Sequence, residues 1–243
     1  QHGAAKTLSG TVKEENVDSL LIGHYGGGTN AAEANLADVR LFQHDNQHCL
    51  DLAAVQALYN SGSNPATNGE VYVADNSGDV PQAVGWWKLN ENSIGKAYDF
   101  SGNMNHGINR KVTNTTGTYA AEFNGSDSYI DSSFNLYDNL DGDDITISMW
   151  INPTSGQIGD GEGNMNVVTG YISGGDTVDR RWDSWIVDST AGWGGTENTF
   201  HWHSHGNNKT LDSTTALTAG TWYHVAITYA DGGAGASGTA KLY

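Results

Sequence analysis

The sequence predicts an all-β fold, a two-layer antiparallel jelly-roll sandwich carrying one short helix. Three observations lead there. Residues 145–152 alternate strictly, with Ile145, Ile147, Met149 and Ile151 on one side and Thr146, Ser148, Trp150 and Asn152 on the other, the pattern of a strand with two unlike faces. Roughly eleven short runs of strand type, separated by Gly, Asn, Asp and Ser clusters, follow along the chain against a single helical pattern. The composition agrees, since 32 Gly, 3 Pro, 8 Trp and 11 Tyr describe a turn-rich β protein with many aromatic side chains.

Residues 1–16 are polar and show little pattern. The apolar run over 19–25 stops at Gly26-Gly27-Gly28 and reads as a buried strand leading into a loop. A second strand spans 36–42, where Ala37, Val39 and Leu41 alternate with Asp38, Arg40 and Phe42, so that Asp38 and Arg40 share a face. The helix covers 52–60. Asp51 is its N-cap, Leu50 and Val55 form a hydrophobic staple, Gly62 closes it, and Leu52, Val55, Leu58 and Tyr59 make the stripe expected to be buried. Residues 63–83, rich in Ser, Asn, Gly, Asp and Pro, read as a linker. Strands are then expected over 84–90, 119–124, 128–131, 145–152, 166–172, 184–188, 199–205, 222–229 and 239–243. Asp141-Gly142-Asp143-Asp144 and Pro153 limit the 145–152 strand to about eight residues.

A formal charge of −17, from 28 acidic and 11 basic residues, argues against a nucleic-acid partner, whose phosphates need clustered Lys and Arg. A cationic ligand, a divalent metal or a neutral sugar fits better, but a solvated surface that keeps a secreted protein soluble is the favoured account of the acidity. Cys49 is the one cysteine, so no internal disulfide forms. No apolar run approaches the ~18–20 residues that span a bilayer. Both ends read as cut from a longer chain, because Gln1 is not an initiator and Tyr243 falls inside an expected strand.

Several stretches together resemble the laminin G-like, concanavalin A-like lectin/glucanase superfamily. Trp86-Trp87-Lys88-Leu89-Asn90 is followed by Asp99-Phe100-Ser101-Gly102-Asn103-Met104-Asn105-His106-Gly107, similar to the family's D-x-S-G-N-x-x-x-G loop. Phe123-Asn124-Gly125-Ser126-Asp127-Ser128-Tyr129-Ile130 resembles its F-x-G segment, and Trp222-Tyr223-His224-Val225-Ala226-Ile227-Thr228-Tyr229 its W-H-V-A-x-T-Y strand, with Tyr223 standing between Trp and His. Residues 21–23, 36–42 and 55–60 resemble the last third of the same domain, yet here they come first. Residues 1–62 and 84–243, joined by the 63–83 linker, are therefore expected to form one circularly permuted sandwich drawn from a tandem array. Two half-domains that exchange elements in a swapped homodimer are the alternative.

The resemblance implies a structural Ca²⁺ held by an aspartate of the last sandwich strand and by carbonyls of the opening strand and the F-x-G turn. That carries over to Asp38 with the carbonyls near Trp86 and Gly125, while the residues themselves leave open a salt bridge from Asp38 to Arg40. Asp99 and Asn103 form a second oxygen-rich stretch, or an Asx-type turn. His201, His203 and His205 share one face of a strand about 6.6–7 Å apart, which suits a metal pair, a ligand-binding face or a solvated strand. Trp182, Trp185 and Trp193 make the region aromatic enough to stack on sugar rings, whose hydroxyls Arg181 would fix, with core packing of Trp185 the other reading.

A glycosidase on this fold needs two carboxylates ~5–9.5 Å apart, and the E-x-D-x-x-E pattern of the resembling glucanases is absent. The expectation is a non-catalytic carbohydrate-binding or adhesion module of a larger secreted or surface protein, extracellular or on a cell or virion surface. Its partners would be a glycan surface and neighbouring repeats of the same parent protein. An inert spacer domain, or a hydrolase or lyase of glucanase type, are the competing readings.

Overall fold

Alternation along 145–152 builds the strand at the middle of the first sheet, Asp144–Pro153 (β10). The computed structural model describes residues 6–10, 19–24, 31–44, 49–61, 82–91, 95–114, 119–132, 134, 144–156, 158, 165–171, 182–187, 196–204, 209–230 and 238–243. β10 pairs antiparallel with Tyr223–Ala230 (β15) on one side and Ala34–His44 (β3) on the other. Gly238–Leu242 (β16) and then Lys6–Gly10 (β1) extend the sheet beyond β15. Gly85–Trp87 (β4) and Ala121–Glu122 (β8) share the far side of β3, and Thr113–Asn114 (β7) pairs with β8.

The second sheet runs Lys209–Asp212 (β14), Phe200–Ser204 (β13), Trp182–Ile186 (β12), Met165–Tyr171 (β11), Ser19–Ile22 (β2), Tyr129–Asp131 (β9), Gly107–Arg110 (β6) and Lys96–Ala97 (β5). All its named pairings are antiparallel. Strands from before and after the expected linker interleave in both sheets. β2 lies between β11 and β9, and β3 between β10 and the β4/β8 edge.

Ile147, Met149 and Ile151 enter the core between the sheets, where Ile22, Val168, Ile186, Phe200 and Trp202 belong to the same buried cluster. Such burial is the main stabilising term for a sandwich. The other face of β10 departs from expectation, because Thr146, Ser148 and Trp150 are buried as well. A third layer covers it: Leu52–Ser61 (α1) packs Ala54, Val55 and Leu58 with Leu50 onto Phe42 and Ala226, and Leu50 N–H donates to Thr146 Oγ1 at 3.2 Å.

Asp51 caps α1 as the sequence predicts, its Oδ1 accepting from Ala54 N–H at 2.9 Å. The buried stripe is rotated from the expected one. Leu52 and Tyr59 are 46% and 48% exposed, while Ala54 is buried. Strands β1, β5, β6, β7 and β14 arise where no strand was expected, and the 119–124 run shortens to two paired residues.

Candidate functional site

The register of β3 against β10 slips between Ser148 and Trp150, and Asp38 sits at this bulge with φ +53°. The bulge turns its carboxylate onto Arg40. Arg40 Nε donates to Oδ1 and Nη2 to Oδ2, each at 2.9 Å, and Trp86 Nε1 donates to Oδ1 at 2.7 Å. The Arg40 guanidinium also lies 4.7 Å over the Trp86 ring. Both oxygens thus face N–H donors and a cation, the opposite of a calcium environment.

Trp86 contributes its indole to this group, its carbonyl accepting from Phe100 N–H at 2.8 Å. Gly125 lies beyond the start of β3, donating to the Ala32 carbonyl at 2.8 Å. Trp86 meets Asp38 through its indole N–H and not its carbonyl, Gly125 does not join them, and the residues present do not fit the implied Ca²⁺.

Asp99 is the hub of a different knot. Its carboxylate accepts from Trp86 N–H (2.8 Å), Ser101 N–H (2.9 Å), Ser101 Oγ (2.8 Å) and Asn105 N–H (2.8 Å). Asn103 turns its amide away from Asp99, donating to the Val84 carbonyl at 2.9 Å. The Asx-type turn is therefore the reading the geometry supports, and the two residues offer no oxygen cage. Among the described residues no group of three or more His, Cys, Asp or Glu gathers around a metal position.

The structure does bring Trp185, His201 and His203 together, on the face of the second sheet away from Phe200 and Trp202. His201 Nδ1 meets Asp212 Oδ1 at 2.5 Å and its ring stacks on Trp185 at 4.3 Å. His203 Nδ1 lies 3.8 Å from Asp183 Oδ1, and the two imidazoles are 6.5 Å apart. Each imidazole thus has its own carboxylate rather than sharing an ion. His201 is fully buried, and His203 and Trp185 are nearly so, at 7% and 5% exposed. They form a packed polar layer and not the open stacking face expected. Trp182 heads β12, paired with Gly170 and Ser204; its side chain, and Arg181, Trp193 and His205, lie outside the described residues.

A cavity of about 520 Å³ opens between α1, the turn after β14 and the start of β15. Leu52, Val55, Gln56 and Tyr59, at the i, i+3, i+4, i+7 spacing of one helix face, line one part of it. Asp212, Ser213, Thr214 and Thr215 line another, and Trp222, Tyr223 and His224 a third. Buried Phe200, Val225 and Leu242 reach it from the core.

Hydrogen bonds hold this lining in place. Ser213 N–H donates to the Phe200 carbonyl (2.8 Å), Phe200 N–H to Ser213 Oγ (3.1 Å), and Thr218 N–H to the Tyr223 hydroxyl (3.0 Å). His224 packs edge-on against Trp150 and Tyr59 at 5.4 and 6.0 Å. Burial pushes its pKa down to about 4, against the pull of Asp38 and with a push from Arg40, so the ring is neutral at physiological pH. Tyr243, also in the lining, has its phenol pushed up by burial and then by Asp51, and stays protonated.

Aromatic rings, hydroxyls and an amide around a preformed hollow are the chemistry of sugar recognition. Residues 124–243 match the laminin G-type family model described as the concanavalin A-like lectin/glucanases superfamily. Residues 124–243 belong to this superfamily. Comparisons with curated proteins and with solved structures find no match.

Laminin G-like domains of the concanavalin A-like superfamily make up a family of carbohydrate-binding and adhesion modules and are typically extracellular. No described helix is long and apolar enough to cross a membrane. The matched stretch contains Asp212 to Thr215 and Trp222 to His224, whereas α1 precedes it. The sequence assigned Leu52 and Tyr59 to the core and left Gln56 and Ser213 to Thr215 unmarked. The one signal available was Tyr223, the extra residue in the laminin G-like W-H-V-A strand.

Proposed function

We propose that the chain is a non-catalytic carbohydrate-binding or adhesion module of a larger secreted or surface protein, and that sugar binds in the cavity beside α1. The observation that carries this reading is the pairing of aromatic and hydroxyl groups around about 520 Å³ in a laminin G-like sandwich. Small-ligand sites usually fall between about 300 and 1,000 Å³. Tyr59 and Trp222 offer ring faces, and Gln56 with Ser213 to Thr215 offer donors and acceptors for ring hydroxyls. Asp212 is the one carboxylate among the described lining residues, and paired-carboxylate hydrolysis needs two, which supports a binding role.

A glycan array followed by calorimetric titration, with and without calcium, tests this. Trp222→Ala is expected to weaken binding about tenfold or more in a protein that still folds, though at a lower melting temperature because Trp222 also packs against Trp150, Ala37 and Ala120. Unchanged affinity in that variant removes the cavity as the site, and turnover of any bound glycan removes the non-catalytic reading.

A further inference from the structure

We infer that the exposed rim around Tyr98, Phe100, Met104 and Ile108 is a docking face for a second copy of this acidic chain, set beside it as a neighbouring module. None of these side chains lines the cavity beside α1, so the inference goes beyond the carbohydrate reading and stands apart from it. Seven large apolar or aromatic side chains are exposed among the described residues. Leu52 and Tyr59 belong to the cavity, and four of the other five come from residues 98–108. Exposed apolar groups gathered in one place signal a contact surface, whereas singly scattered ones do not.

The chain builds this face at the edge where the two sheets meet. β5 is the last strand of the second sheet, and Asp99 just beyond it bridges to Trp87 of β4 in the first. Ala97 and Asp99 are buried, which leaves Tyr98 and Phe100 outward on one side. Ile108 of β6 stands opposite Lys96 of β5. Met104 is 76% exposed at φ +61°, a left-handed conformation that a bulky side chain rarely adopts. The Asp99 knot holds it there. Asp99 accepts from Ser101 and Asn105 N–H groups, the Asn105 carbonyl accepts from Trp87 Nε1 at 2.9 Å, and the Asn105 amide donates to the Val84 carbonyl at 3.0 Å. A face fixed in this way loses little freedom on contact.

Charge decides what fits against it. Residues 82–114 hold four basic side chains, Lys88, Lys96, Arg110 and Lys111, against Glu91 and a buried Asp99. Of the chain's 11 basic and 28 acidic residues, seven and 26 lie elsewhere, so the remainder is strongly negative. Lys88 Nζ is 4.2 Å from the Phe100 ring and Lys96 Nζ 4.9 Å from the Tyr98 ring, so cations and apolar groups share one surface. Two such faces repel each other, while each attracts the acidic remainder of another copy. The contact is therefore heterologous and runs head to tail along a row of modules instead of closing as a two-fold dimer. So few side chains place it at the small end of interface sizes, with a Kd on the order of 0.1–1 mM between separate chains. Separate chains stay monomeric at micromolar concentration, and a linker between modules supplies the effective concentration that the contact needs.

The test is a concentration series of the whole chain up to about 1 mM, followed by NMR amide shifts at low and high salt. Shifts should grow with concentration at residues 98–108 and at a separate acidic surface, and high salt should weaken the association several-fold. Met104→Ser with Lys96→Glu, both at exposed positions, should weaken it at least about fivefold. Lys241→Glu, which changes net charge equally but lies away from the face, should leave it unchanged.

No concentration dependence, association indifferent to the paired substitution or to salt, or a two-fold contact of face on face would each overturn the inference. A sulfated oligosaccharide that moves the 98–108 shifts where a second copy does not would assign the face to a polyanionic glycan and overturn it as well. The wild-type series and its salt dependence decide even where the paired variant fails to fold, and loss of glycan binding in Trp222→Ala bears on the cavity alone.

Discussion

Asp38 and Asp99 are two aspartates with opposite partners and one shared outcome. The first is neutralised by a bidentate guanidinium and the second by four N–H and O–H groups of its own turn and of β4, so each organises backbone instead of an ion. Asp99→Ala would leave Trp86, Ser101 and Asn105 N–H groups without their acceptor in a buried knot, and urea denaturation should show a loss of about 3–5 kcal/mol. His224 gives a prediction in pH. Its folded pKa of about 4 lies below the unfolded value near 6.5, so between these the unfolded chain binds the extra proton. Stability contributed by the neutral ring is complete above about pH 6.5 and declines as pH falls towards 4, by about 3 kcal/mol. The difference in unfolding free energy between wild type and His224→Gln, followed from pH 7 to 4, should carry this slope; a flat difference would show that the imidazole titrates normally.

At the scale of elements, what the sequence disclosed depended on length and on what lies above a face. β10 and β15 were legible because seven or more residues keep a period of two, while β5, β7 and β8 pair only two residues each and no period exists to be read. The Thr146, Ser148, Trp150 face of β10 looks the same in sequence whether water or a helix covers it, so the third layer stayed hidden until α1 was seen to lie there. The same ambiguity governs β13. Alternation correctly separated Phe200 and Trp202 from His201 and His203, but the carboxylates that meet the imidazoles come from β12 and β14 through a register that only folding sets. The cavity was least legible of all. It is assembled from a helix face, a turn and a strand start far apart in the chain, and a small rotation of α1 moved Leu52 and Tyr59 from the expected core to its wall.

For the whole molecule, the decisive feature is that β2 and β3 occupy interior positions in two different sheets. β3 contacts β10, β4 and β8, and Phe123 N–H donates to the Ala34 carbonyl at 2.9 Å beside it. Removing residues 1–61 would strip β10, β11 and β9 of partners and open the inter-sheet core to water along the middle of both layers. Residues 82–243 alone should therefore fail to give a dispersed NMR spectrum, and co-expression with residues 1–61 should restore a soluble one-to-one complex. Our reading of the chain as one permuted sandwich adds that the intact protein sediments as a monomer of 25.9 kDa and unfolds in a single cooperative transition. A stable dimer that dissociates only on unfolding would instead mean that β2 and β3 are exchanged between copies, the same pairings made across two chains. A folded 82–243 fragment would go further, showing that the interleaved strands are an addition to a sheet complete without them.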